Sequence, residues 1–101
     1  MVEIHVTYSN IKEARKISRG LLQKHLVACA NMYPVSSQYR WKGKIVDDKE
    51  ILAVYKTVQQ KVQQVQRFVE RRHSYKVPCI VTLPVTRSAK KYSDWVIHET
   101  R

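Results

Sequence analysis

Tyr39-Arg40-Trp41-Lys42-Gly43-Lys44-Ile45 lies in the middle of a long stretch that has no helical spacing of apolar residues. Gly43 is the turn residue this segment requires, so the segment predicts the tip of a β-hairpin. Working outward, the extended pattern reaches back to Val27 and forward to Thr57. Pro34 removes one backbone donor from the first arm, which places that point at a sheet edge or a bulge. Asp47-Asp48-Lys49 interrupts the second arm, and a bulge is expected there. Beyond it, Glu50-Ile51-Leu52-Ala53-Val54-Tyr55-Lys56 resumes as a strongly apolar strand.

The flanking segments supply the partners of this hairpin. Val2, Ile4, Val6 and Tyr8 alternate with Glu3, His5 and Thr7, the period of a half-buried strand. Asn10 and Glu13 form a capping box. Ile11, Ala14, Ile17, Leu21, Leu22 and Leu26 follow at helical spacing, with Lys12, Arg15, Lys16, Arg19 and Lys24 turned outward. This helix is expected to run to about Leu26. After the hairpin, Thr57 and Gln60 predict a second capping box, and Val58, Val62, Val65, Phe68 and Val69 a second helix ending near His73. Pro78 opens a strand over Cys79–Leu83 that Pro84 stops. Ser88 is the expected cap of a final helix carrying Ala89, Tyr92, Trp95 and Val96.

The order is strand, helix, strand, strand, helix, strand and an extra helix. That is the ferredoxin-like βαββαβ arrangement, an α+β fold whose right-handed crossovers put both main helices on one face of an antiparallel sheet. The other face, too large for the last helix to cover, predicts self-association.

The chain has 101 residues, enough for one domain over 1–101. Lys and Arg number 19 against 8 Asp and Glu, a formal charge of +11. No apolar run reaches membrane-spanning length. The start, Met1-Val2-Glu3-Ile4-His5, lacks the basic start and uniform apolar stretch of a secretory signal. Cys29 and Cys79 each sit in an apolar stretch and read as buried, reduced thiols, so a cytoplasmic setting is expected.

Several motifs then occur in one order: Ala28-Cys29-Ala30-Asn31; Tyr39-x-Trp41-x-Gly43-Lys44-Ile45, followed by Glu50; Lys56-Thr57; His73-x-Tyr75-x-x-Pro78; Leu83-Pro84-Val85; and Tyr92-x-x-Trp95. Together they resemble the CutA divalent-cation tolerance family across essentially the whole chain. The resemblance implies a homotrimer in which long hairpin strands pair between subunits. It also implies a non-catalytic part in tolerance of copper and other divalent cations. A further implication is inter-subunit clefts like those of the trimeric nitrogen-regulatory signalling proteins. Where the family carries His-Pro-Tyr, this chain has His73-Ser74-Tyr75. Where bacterial members with a proposed copper site carry a Cys in the first strand and a His immediately before the one matched by His73, it has Val6 and Arg72.

Imidazole suits Cu(II) and thiolate suits Cu(I), so His73 and Cys29 are the candidate metal ligands. Structural roles compete with both. A His at a helix end can bond the last carbonyls, and a Cys among Val and Ala is held neutral. His5, His25 and His98 read as surface or interface residues. Tyr39, Trp41, Glu50, Lys56, Tyr75 and Trp95 are the candidate lining of an inter-subunit cleft for a small ligand, or alternatively aromatic packing of the trimer. No nucleophile, base and orienting group share a recognisable spacing, and with only Gly20 and Gly43 there is no phosphate loop, so no enzyme is expected. The rival is a basic nucleic-acid-binding module on the same fold. Against it, the central strands offer only Tyr8 and Tyr55 for base stacking, and the basic residues lie on the helices.

Overall fold

The computed structural model describes all 101 residues. Its elements are β1 (Val2–Tyr8), α1 (Ile11–Gln23), β2 (Cys29–Trp41), β3 (Lys44–Thr57), α2 (Val62–Arg72), β4 (Ile80–Pro84) and α3 (Lys90–Glu99), with one 3-10 turn at Gln59–Lys61 before α2. The four strands form one sheet in the order β2-β3-β1-β4, every neighbour antiparallel. This is the expected ferredoxin-like arrangement.

Alternation assigns the two faces. Val2, Ile4, Val6 and Tyr8 point with Ala53 and Tyr55 toward α1 and α2. There they meet Ala14, Ile17 and Leu21 from α1, and Val65, Phe68 and Val69 from α2, in one core. The opposite face carries Glu3, His5 and Thr7 with Glu50, Leu52, Val54 and Lys56. α3 contacts β3. Val54 and Val96 are buried outside the main core.

The hairpin is longer than the sheet that supports it. β1 pairs with β3 only from Ile51 to Thr57, whereas β2 and β3 pair from Cys29–Lys56 to Trp41–Lys44. The arm beyond Tyr8 is therefore seven pairs long, about 23 Å at strand rise. Its tip is a two-residue turn in which both Lys42 (φ 50°) and Gly43 (φ 77°) take left-handed conformations. That geometry matches the twist of the strands, and it needs glycine or a tolerant residue at both positions.

Several local expectations are corrected. No bulge occurs at Asp47-Asp48-Lys49. Register is unbroken, with Gln38 opposite Asp47 and Ser37 opposite Asp48, because Gln38 Nε2 donates to Asp47 Oδ1 at 2.7 Å across the strands. Pro34 does lie on an edge, since β2 is the outermost strand. α1 stops at Gln23, three residues early. His25 turns left-handed (φ 57°) and its Nδ1 bonds the carbonyl of Glu99 at 2.9 Å, tying the turn to α3. The first capping box is half made. Asn10 accepts from the Glu13 amide at 2.8 Å, but the Glu13 carboxylate reaches Ser74 instead. The second box does not form, because Thr57 is buried in β3 and its hydroxyl donates to the Leu26 carbonyl at 2.6 Å. Ser88 does not cap α3. Ala89 holds that position without a side-chain bond, and Ser88 pairs with Ser93. Ile11 and Leu22 sit at the margin of the apolar stripe and are exposed. Cys29 is half-buried and Cys79 exposed, both free, rather than two buried thiols. Cys29 starts edge strand β2 level with Leu83, whereas Cys79 precedes the other edge strand, β4, so the three inter-strand spacings alone put them more than about 14 Å apart, too far for a disulfide within the chain.

Candidate functional site

His73 follows the last turn of α2, with extended backbone (φ −71°, ψ 140°), and its ring returns to β1. It stacks on Tyr8 with centroids 4.8 Å apart and planes within 10°. Nε2 lies 2.7 Å from the Thr7 carbonyl, which can only accept, so Nε2 carries the proton. Nδ1 accepts from the Tyr75 amide at 3.1 Å. Both ring nitrogens are thus committed to the protein's own backbone, and no lone pair faces outward for a metal. The ring acts as a clamp that joins the end of α2, the end of β1 and the turn leading to β4.

That clamp places Tyr75. Its hydroxyl donates to Glu50 Oε2 at 2.7 Å, at the root of the hairpin arm. Glu50 is only 7% exposed, and this bond answers its burial. Burial first, then the neighbouring Glu50, push the Tyr75 phenol above its ordinary value. Tyr39 lies nearby on β2, its hydroxyl donating to Asp48 Oδ2 at 3.2 Å, and its phenol is likewise raised. Trp41 is at the far end of the arm, 42% exposed.

Lys56 and Trp95 belong to a second group. Lys56 Nζ donates to Asn31 Oδ1 at 2.5 Å, and Cys29 Sγ lies 3.6 Å from the same oxygen. Tyr92 packs beside Cys29, its phenol raised first by burial and then by that thiol, and its ring is 5.6 Å from Trp95. Lys56 is six positions along β3 from Glu50, about 20 Å at strand rise. Tyr39, Trp41, Glu50 and Lys56 all project from the sheet face away from α1 and α2, yet Tyr39, Glu50 and Tyr75 form one half-site and Lys56 and Trp95 another, with Trp41 apart at the hairpin tip.

The two candidate metal ligands do not converge either. Cys29 is opposite Lys56, near the start of β1, whereas His73 is at the end of β1 against Thr7 and Tyr8. Nowhere do three or more His, Cys, Asp or Glu side chains gather as a metal site. Val6 is fully buried in the core, and the Arg72 guanidinium sits 3.5 Å from the centre of the Phe68 ring. The residues of a single chain do not fit a divalent metal.

Asn31, Asp48, Tyr92 and Tyr8 belong to these groups but were not candidates from sequence. Asn31 shares a strand face with Cys29 by simple alternation, which could have flagged it. Tyr8 reads only as core, and its second role depends on a residue 65 positions away.

The match to known proteins follows the same elements. Residues 2–99 match the family described as CutA1 divalent ion tolerance protein. The chain belongs to the CutA1 family. A divalent-cation tolerance protein CutA from Thermotoga maritima is 38% identical over 96 residues, 95% of each chain. The structure of a periplasmic divalent cation tolerance protein CutA from Archaeoglobus fulgidus superposes with a TM-score of 0.97 at 35% identity, covering all of both chains. A PII-like protein CutA from Nostoc gives 0.93 at 30% identity, covering 100% of this chain and 98% of that one. These matches lend nothing to the nucleic-acid reading.

Proposed function

We propose that this CutA1 chain serves divalent-cation tolerance as a non-catalytic homotrimer that takes a small ligand in clefts between subunits. The observation that supports it is the division of the cleft residues into two half-sites on one sheet face, beside apolar side chains left in water. Tyr33, Val81 and Leu83 on that face are 47%, 49% and 40% exposed. Covering them requires another surface of similar shape, and a second chain can then bring its Lys56–Trp95 group against the first chain's Tyr39–Glu50–Tyr75 group. One half supplies phenols and a carboxylate, the other a cation and an indole, a mixture suited to a polar small molecule. The link to copper or another divalent cation runs through this cleft rather than through His73 and Cys29 of one chain. The two free thiols suit a reducing, cytoplasmic setting, although the Archaeoglobus relative is named as periplasmic.

The test is a fluorescence and calorimetric titration of the assembled protein with Cu(II), Zn(II) and citrate, alongside Glu50→Gln, Lys56→Ala and His73→Ala. Saturable binding that perturbs Trp41 or Trp95 and weakens in the first two variants is the expected result. Binding lost only in His73→Ala, or none to any probe, would overturn the cleft.

A further inference from the structure

The helix layer carries most of the chain's net charge. Residues 11–24 and 59–72 hold nine Lys and Arg against Glu13 and Glu70. Part of that charge converges on a groove of about 810 Å³ between α1 and α2. Lys12, Lys16 and Arg19, at helical positions i, i+4 and i+7, form one wall over about 10 Å of α1, and Arg72 faces them from α2. Phe68 and Gly20 lie between. A Cβ on residue 20 would come within 2.6 Å of Phe68 Cζ, so glycine there lets the ring in against α1. The Arg72 guanidinium lies 3.5 Å from the centre of that ring and donates to the Phe68 carbonyl at 3.1 Å, which anchors it at the groove.

None of these cations is in an ion pair. The chain's two ion pairs, His5–Glu3 and Lys90–Asp94, lie elsewhere. Glu13 is the one acid lining the groove, and both its oxygens are held at 3.0 Å by the amide and hydroxyl of Ser74. The lining therefore carries four cations against one carboxylate, a net charge of +3 that attracts an anion. The groove also lies on the side of the sheet opposite the apolar face, so self-association through that face leaves it open.

We propose that the α1–α2 groove binds a small polyphosphorylated anion, with Lys12, Lys16 and Arg19 along the phosphate chain and Arg72 at one end. The volume is that of a small-molecule site, and four converging cations match several linked negative charges better than one. Arg72 is exposed, and its guanidinium has one side against Phe68, which leaves the other side for an aromatic base, so a nucleoside polyphosphate has an additional contact that inorganic polyphosphate lacks.

The experiment is calorimetric titration of the full chain at about 150 mM salt, where the Debye length is about 8 Å and scattered charges no longer act together. The probes are inorganic tripolyphosphate, adenosine triphosphate and a single-stranded oligonucleotide. The variants are Lys16→Gln/Arg19→Gln in the groove and Lys91→Gln/Arg101→Gln elsewhere, which remove equal charge from exposed positions. The expected result is saturable binding of tripolyphosphate or the nucleotide that weakens about tenfold or more in the groove variant and less than about twofold in the control. Tighter binding of the nucleotide than of tripolyphosphate, lost in Arg72→Lys, would assign the stacking role. No binding at this salt, equal loss in both variants, or a clear preference for the oligonucleotide would overturn the proposal. Unchanged thermal melting of the variants separates a lost site from a lost fold.

Discussion

Replacing His73 by Ala should destabilise the fold, and the size of the loss distinguishes a clamp from a metal ligand. The substitution removes two hydrogen bonds, to the Thr7 carbonyl and from the Tyr75 amide, each worth about 1 kcal/mol. It also removes the parallel stack on Tyr8, worth roughly 0.5–1.5 kcal/mol for an aromatic pair. The sum is about 3 kcal/mol, or a fall of roughly 10–20 °C in melting temperature for a domain this size. His73→Asn retains an acceptor near the Nδ1 position, and His73→Gln a donor near Nε2, so each should recover part of the loss. The assay is urea denaturation followed by circular dichroism at one fixed protein concentration, because assembly makes stability concentration-dependent. A change within about 0.5 kcal/mol, the range of ordinary surface substitutions, would refute the clamp. If Cu(II) affinity also collapsed, His73 would be a ligand after all.

Other predictions follow from the same contacts. Tyr55→Phe strips the hydroxyl that joins Tyr8 (2.7 Å) to Ser18 (2.8 Å) in the core, and should cost about 1–3 kcal/mol in the same assay. Tyr75→Phe leaves the buried Glu50 carboxylate without its donor, and a loss of about 1.5–3 kcal/mol is expected. Burial holds the Tyr8 and Tyr75 phenols above their ordinary values. A raised folded-state value means that the associated stability is fully present below the unfolded phenol's pKa and is lost as pH climbs above about 10. Phenolate absorbance should therefore show an early step from accessible tyrosines and a late one coincident with unfolding; a single step near pH 10 with the fold intact would contradict it. Gly20→Ala sets a Cβ against Phe68, whose ring is pinned under Arg72. Overpacking of about 1–3 kcal/mol should outweigh the roughly 1 kcal/mol gain in helix propensity, and a rise in melting temperature would show that the ring simply moves aside.

The sheet was legible because its signals are periodic and local. Val2 to Tyr8 alternate without exception, Gly43 marks the hairpin tip, and the two apolar helical stripes match the buried Ala14–Ile17–Leu21 and Val65–Phe68–Val69 sets. Errors arose where a side chain was used in a tertiary contact instead of a local one. Thr57 bonds Leu26, Glu13 bonds Ser74, and Gln38 steadies the Asp47 segment that composition alone marks as a break. The candidate site was legible as a list but not as an arrangement. Sequence order brings Glu50 and Lys56 within six residues, whereas an extended strand holds them apart. His73 looked available for a metal because neither the Thr7 carbonyl nor the Tyr75 amide carries any sequence signature.

Native mass spectrometry at micromolar concentration and near-neutral pH tests the central claim most directly. The proposed cleft exists only if chains assemble through the exposed sheet face. The predicted result is a species of three chains, each of 11.9 kDa, that dissociates when Leu83→Lys and Val81→Lys charge that face while circular dichroism shows the chain still folded. A protein that stays monomeric, or a trimer indifferent to those charges, would contradict a site completed between subunits.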